Sequence, residues 1–182
     1  GAILQQAWID VAMKEAFAVR IGKFKTPFSH GYLTTLGETM MPTLPTSLTA
    51  AVIMPYSLNA VTPNIGTGFD LGVEIHGFAA NKFGYEIGIF NGTGASVNTA
   101  TKTISDDWHI PSLLYAGRST FKPKGIMPAT QGNPDRLHED KWMLGASANL
   151  NVESESESTN DTRAGLEFAM LKNKLYIGAE AY

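Results

Sequence analysis

The sequence contains no cysteine, and this absence excludes a disulfide framework and thiolate metal sites. Lysine and arginine total 14 against 17 aspartates and glutamates, which gives a net charge of -3. Nucleic-acid binders carry a strong basic patch, so this balance predicts no nucleic-acid partner. No apolar run approaches the roughly 18 residues that a membrane-spanning helix requires. A chain of this kind could cross a membrane only with β-strands.

Catalytic and metal-binding patterns are also missing. No Ser-His-Asp order, nucleophile elbow or pair of carboxylates can be placed on neighbouring elements, so we expect neither an enzyme nor a cofactor. Histidine stands beside carboxylates in "DDWHI" (106–110) and "LHED" (137–140), but both lack a third ligand at a defined spacing, so no metal site is expected. The acidic run "ESESES" (153–158) indicates a solvated external loop, with divalent-cation or lipopolysaccharide bridging as the alternative.

Apolar and polar residues alternate along most of the chain, a pattern that predicts β-strands with two different faces. Hydrophobic residues make up 43% of the sequence and glycine occupies 18 positions, which suits strands with one apolar face and one face of small polar groups. Several strands reach about 10 residues, enough to cross a bilayer when tilted and longer than the ~5–6 typical of soluble sheets. The eight alternating segments cover residues 6–14, 17–22, 69–76, 83–90, 112–121, 141–152, 163–170 and 175–182.

The connections between these segments are short at one end and long at the other. Tight turns are predicted at Glu15–Ala16, Asn81–Lys82 and Lys172–Lys174. The long connections are 29–66, 91–107 and 153–161, and 122–140 is a long connection where a short turn is expected. This asymmetry is typical of outer-membrane barrels, so we predict an all-β fold, a transmembrane antiparallel β-barrel. A soluble β-sandwich binding module is the alternative, and its apolar face would pack on itself.

The alternation divides each strand between lipid and lumen, because unpaired charge in hydrocarbon costs several kcal/mol. The predicted lipid face carries Phe69, Leu71, Val73, Phe83, Tyr85 and Ile87. The predicted pore-lining residues are Asp10, Lys14, Arg20, Asp70, Glu74, His76, Glu86, Arg118, Lys141, Arg163, Glu167 and Glu180. Both signs of charge occur among them, so this pattern favours no single solute. Arg20 and Arg118 are the strongest candidates for lumen cations, and an ion pair within the wall is the alternative for each. Lys23 and Lys25 share the parity of the lipid face and are expected at the rim.

The segment 29–67 is too long and too apolar for a solvated loop, with "SLTAAVIMPYSL" in its middle. We predict that it folds inward as a constriction loop and buries Val52, Ile53, Met54 and Tyr56. The alternative is a surface loop that closes over the mouth.

Four motifs, in this order, resemble the phosphate-selective porins O and P of bacterial outer membranes. They are "RIGKFKTPF" (20–28), "GFDLGVEIHG" (68–77), "YEIGIFNGTG" (85–94) and "YAGRSTFKP" (115–123). The resemblance implies a 16-stranded trimeric barrel in the outer membrane of a Gram-negative bacterium, with a long loop folded into the pore. Against that pattern only about eight strands are visible, so we expect residues 1–182 to form one partial porin domain, an internal piece of a larger barrel.

The function that the resemblance implies is a water-filled channel for passive diffusion of small hydrophilic solutes or ions, anions such as phosphate among them. Its expected partners are outer-membrane lipid, lipopolysaccharide, the solutes and further copies in a homotrimer. The alternative from another class is a structural barrel, a sleeve around another polypeptide or a docking partner for an outer-membrane protein, without free diffusion. A sleeve would carry a continuous complementary surface in its lumen, whereas a porin would carry charged side chains around water.

Overall fold

The computed structural model describes residues 6–34, 38, 69–91, 97–98, 103–104, 113–127, 131, 139–151 and 161–182. Its strands are β1 (Ala7–Lys14), β2 (Phe17–Lys25), β3 (Phe69–Ala79), β4 (Phe83–Phe90), β5 (Val97–Asn98), β6 (Thr103–Ile104), β7 (Leu114–Phe121), β8 (Glu139–Asn151), β9 (Asp161–Asn173) and β10 (Leu175–Ala181). A four-residue helix, α1 (His30–Leu33), follows β2. Among the described residues, no helix has the length and apolarity to cross a membrane.

Eight strands form one sheet in the order β1-β2-β3-β4-β7-β8-β9-β10, and each neighbouring pair is antiparallel. These are the eight segments that the alternation predicts, so the all-β antiparallel fold is confirmed. The short ladder of β5 and β6 and the helix α1 are additional elements that the sequence pattern did not indicate. Across the described residues the sheet stays open, with β1 and β10 at its edges, as a section of a porin barrel would be.

The connections alternate between the two ends of the sheet. Turns at residues 15–16, 80–82 and 174 lie at one end together with the longer connection 122–138, while 26–68, 91–113 and 152–160 leave from the other end. The predicted turn at Asn81–Lys82 is shifted by one residue in the structure. Ala80 and Asn81 have φ of 52° and 53°, and the Lys82 N–H donates to the Ala79 carbonyl at 3.1 Å. Two central residues with positive φ are typical of a type I′ hairpin turn, whose twist matches the flanking strands.

The two faces of the sheet differ in a way that soluble sheets do not. One face, the apolar face, carries large side chains that are open to the surroundings, among them Leu71 at 61% exposure and Ile87 at 62%. The other face, the polar face, carries most of the charged residues of the strands, and Glu74 on it is only 2% exposed. A soluble sheet buries its apolar face on a core. Within the described residues the apolar face has no such cover, which contradicts the packing that the β-sandwich alternative requires.

Small apolar clusters hold the polar face together. Phe24, Phe90, Leu114 and Ala116 form one cluster, and Phe24 and Phe90 meet edge to face with centroids 5.3 Å apart. Gly72 and Gly88 leave room for the Phe90 ring, because a Cβ on Gly88 would lie 2.6 Å from Phe90 Cε2. A second cluster consists of Met127, Met143, Ala169 and Leu171. The glycines of this face therefore allow aromatic side chains to lie flat across neighbouring strands.

Candidate functional site

The ionisable residues of the polar face align in rows across the sheet, because residues paired in neighbouring strands point to the same side. Asp10 of β1 pairs with Arg20 of β2, and Arg20 pairs with Glu74 of β3. A second row joins His76, Glu86 and Arg118, and a third joins Glu167 to Glu180. Asp70, Lys141 and Arg163 lie on the same face by their register opposite Phe24, Leu171 and Asn149.

Arg20 is held by partners on three strands. Its Nη2 lies 2.9 Å from Asp10 Oδ2, and its Nη1 lies 3.2 Å from Glu74 Oε1. His76 Nε2 also contacts Asp10 Oδ2 at 2.9 Å. The guanidinium sits over the Trp8 and Phe24 rings, 5.2 and 5.5 Å from their centroids. These contacts hold the cation in ion pairs across neighbouring strands, which is the arrangement given above as the alternative for Arg20.

Arg118 makes the corresponding contacts on the other half of the sheet. Its Nε donates to Glu167 Oε1 at 2.7 Å, and its Nη1 lies 3.4 Å from Glu86 Oε2. The side chains of Arg118 and Glu167 are only 8% and 3% exposed. Gly145 stands opposite Glu167, where any Cβ would overlap the carboxylate. A charge with two carboxylate partners is largely neutralised locally, so Arg118 adds little field to the space in front of the sheet.

A cavity of about 350 Å³ opens on the polar face near the end with the short turns. The acidic and basic residues that line it are Asp10, Lys14, Glu15, His76, Glu86, Arg118 and Lys122. The strand register shifts between Ala12 and Lys14, yet Lys14 still contributes to this cavity. The alternation of the strands did not predict Lys122 as a residue of this site, because Lys122 follows the end of β7. Burial, with Arg118 next in effect, lowers the pKa of Lys122 below its usual value.

Residues 26–34, here called the strap, lie on the polar face, in contact with β8 and β10. The Gly31 N–H donates to Glu180 Oε1 at 2.7 Å, and Ser29 Oγ donates to Glu180 Oε2 at 3.1 Å. Ser29 N donates to Ser147 Oγ at 3.4 Å. The Phe28 ring stacks on Tyr182 with centroids 5.8 Å apart. The strap therefore connects the end of β2 to the opposite half of the sheet.

Local interactions give the strap its shape. Ser29 has φ of 60°, and its side chain accepts the Tyr32 N–H as the N-cap of α1. Lys25 Nζ donates to the carbonyls of Tyr32 and Thr34 at 2.6 and 3.2 Å, so this lysine holds the strap. The pKa of His30 is lowered to about 4 by burial, with the nearby Arg118 charge acting in the same direction.

Residues 29–34 of the strap are the start of the segment predicted to be a constriction loop, 29–67. Of residues 29–67 the structure describes 29–34 and 38. Val52, Ile53, Met54 and Tyr56 lie outside the described residues, as does the "DDWHI" stretch. In the part of the chain that is described, no three His, Asp or Glu side chains come together as a metal-binding group.

The comparison with protein families gives one match over the whole chain. A family model described as phosphate-selective porin O and P matches residues 1–182. Neither a curated protein nor a solved structure matches the sequence.

Proposed function

This chain belongs to the phosphate-selective porin O and P family, and on that premise we propose that it forms part of the wall of a water-filled channel in the bacterial outer membrane. The observation that carries the proposal is the division of the sheet into an open apolar face and a polar face lined with charged residues. Placed in a barrel, such a sheet turns its apolar face to lipid and its polar face to water.

The channel would work by passive diffusion of small hydrophilic solutes or ions, without turnover or a cofactor. The family is one of channels and not of enzymes. Solutes would be sorted by the width of the lumen and by local charge. The predicted pore-lining residues on the described strands would form that wall.

The ion pairs in the wall support a weak general ion preference. Arg20 and Arg118 each lie against two carboxylates, so neither projects an uncompensated positive charge. Phosphate would pass as one of several small anions, and a stronger preference for it would have to arise from residues outside these paired rows.

The proposed partners follow from the same arrangement. The apolar face would contact outer-membrane lipid, with lipopolysaccharide around the external loops, and the family implies a homotrimer. The strap also supports a channel over a sleeve, because it occupies space on the polar face that a threaded polypeptide would require.

A liposome-swelling assay tests the proposal. Vesicles containing the folded protein should swell in solutions of small sugars, and the rate should fall steeply as the sugar grows. Protein-free vesicles and vesicles with heat-denatured protein serve as controls. Swelling at the control rate for every sugar, from protein shown to be folded and inserted, would contradict a diffusion channel.

A further inference from the structure

Both carboxylate oxygens of Glu180 accept hydrogen bonds from the strap. Its two oxygens receive the Gly31 N–H and the Ser29 hydroxyl, and Tyr182 OH bonds to Oε2 as well. The Ser29 and Tyr182 hydroxyls also lie 2.9 Å apart. Three donors therefore meet at one carboxylate. Glu180 is 149 residues from Gly31 and 151 from Ser29 in the sequence, so the two strap donors make long-range contacts.

We propose that Glu180 is a positioning residue that anchors the strap across the polar face and so sets the width of the passage at that level. The effect on the width of the passage rests on the proposed channel function, whereas the anchoring of the strap by Glu180 does not depend on that function. The carboxylate would act through the backbone and hydroxyl groups that it orders, and not through its charge on a passing solute.

The close approach of the strap supports this role. A Cβ added to Gly31 would lie 2.9 Å from Glu180 Oε2, so a side chain at this position would require the carboxylate to move from its present place. Ser29 at φ of 60° is a conformation that non-glycine residues adopt at a cost, and the contacts to Glu180 and Ser147 are those that offset it. A hydrogen bond to a charged acceptor is stronger than a neutral one, which suits an anchor at the edge strand.

The position of the strap can be measured directly by pulsed electron paramagnetic resonance. The sequence has no cysteine, so nitroxides at Leu33→Cys on the strap and Ala179→Cys on the apolar face of β10 are the only labels. The otherwise unchanged protein should give one narrow distance distribution. Glu180→Ala should broaden it or move it to longer distances, whereas Asp140→Ala, which removes an exposed carboxylate away from the strap, should leave it narrow.

Two further variants separate anchoring from charge. Glu180→Gln keeps an acceptor for the Gly31 N–H and gains an amide that can donate to Ser29 Oγ, so it should retain the narrow distribution. Gly31→Ala keeps the charge but places a methyl group against the carboxylate, so it should broaden the distribution. It also tests the anchor if Glu180→Ala fails to fold.

Single-channel conductance then tests the consequence. Glu180→Ala and Gly31→Ala should raise conductance, and Glu180→Gln should match the unchanged protein. An unaltered distance distribution in both Glu180→Ala and Gly31→Ala would overturn the anchor. Equal effects of Glu180→Gln and Glu180→Ala on conductance, with the strap in place, would show that the charge acts and would also overturn it. A loss of distance order with no conductance in any variant would support the anchor and contradict the channel instead.

Discussion

Arg118 offers the sharpest test of how the polar face is stabilised. Its guanidinium lies between Glu167 at 2.7 Å and Glu86 at 3.4 Å, and the side chains of Arg118 and Glu167 are 8% and 3% exposed. Exposed ion pairs contribute only ~0–1 kcal/mol, but breaking a buried pair costs about 3–5 kcal/mol because a charge remains without compensation. Glu86 is partly exposed and can turn to water, so the cost arises mainly at Glu167.

We therefore expect Arg118→Met to lower the free energy of unfolding by about 3 kcal/mol, the lower end of that range. At 1.4 kcal/mol per factor of ten, the folding equilibrium should fall by about 100-fold. Urea titration in phospholipid vesicles measures this change, with the fluorescence of the three tryptophans as the signal.

A second substitution identifies the cause. Arg118→Met combined with Glu167→Gln removes the stranded charge, so the double variant should recover most of the lost stability. A loss below about 1 kcal/mol in the single variant would show a solvated pair and refute the buried arrangement. A double variant as unstable as the single one would mean that lost packing, and not the stranded charge, is responsible.

Three further predictions test other parts of the structure. Gly22→Ala should strongly reduce folding, because Gly22 has φ of +138° and a Cβ there would clash with the β1 backbone. Gly117→Ala is the control, because its Cβ would lie 3.8 Å from the nearest atom, and it should fold normally. A heat-modifiability gel compares the two variants, and equal folding would contradict the tight β1–β2 contact. Ile87→Arg on the apolar face should cost about 2–4 kcal/mol near the bilayer centre, and Ala12→Arg on the polar face much less, by urea titration; the reverse order would mean that the faces are misassigned. The pKa of His30 is lowered to about 4 from 6.5, so the folded protein keeps this side chain neutral while the unfolded chain takes up a proton. The contribution of His30 to stability should therefore fall as the pH drops from 6.5 to about 4 and stay constant above pH 6.5. An NMR titration midpoint near 6.5 for His30 would contradict its burial.

The strands were predictable because period-two alternation is a local property of the sequence. In β3 and β4 it placed Leu71 and Ile87 on one face and Glu74 and Glu86 on the other, as the structure has them. The turn between these strands was predicted one residue late, because positive φ at Ala80 is unfavourable for alanine and only the pairing of the two strands requires it.

The contacts of the wall could be predicted only in part. Parity assigned Arg20 and Arg118 to a face, but whether each meets a carboxylate depends on strand register, which the alternation alone does not fix to one residue pair. The strap could not be predicted from local sequence, because the conformation of Ser29 depends on Glu180 and Ser147, which are more than 100 residues away, with separations of 151 and 118. The lumen role of the charged residues stays a prediction.

Planar-bilayer recording tests the central claim most directly. Detergent-extracted, folded protein should give stable conductance steps, and the reversal potential in a KCl gradient should show a weak ion preference, because the wall carries paired charges of both signs. Added phosphate should change the current little. No conductance from protein that a heat-modifiability gel shows to be a folded barrel would contradict the channel, and a strong anion preference blocked by phosphate would contradict the neutralised wall.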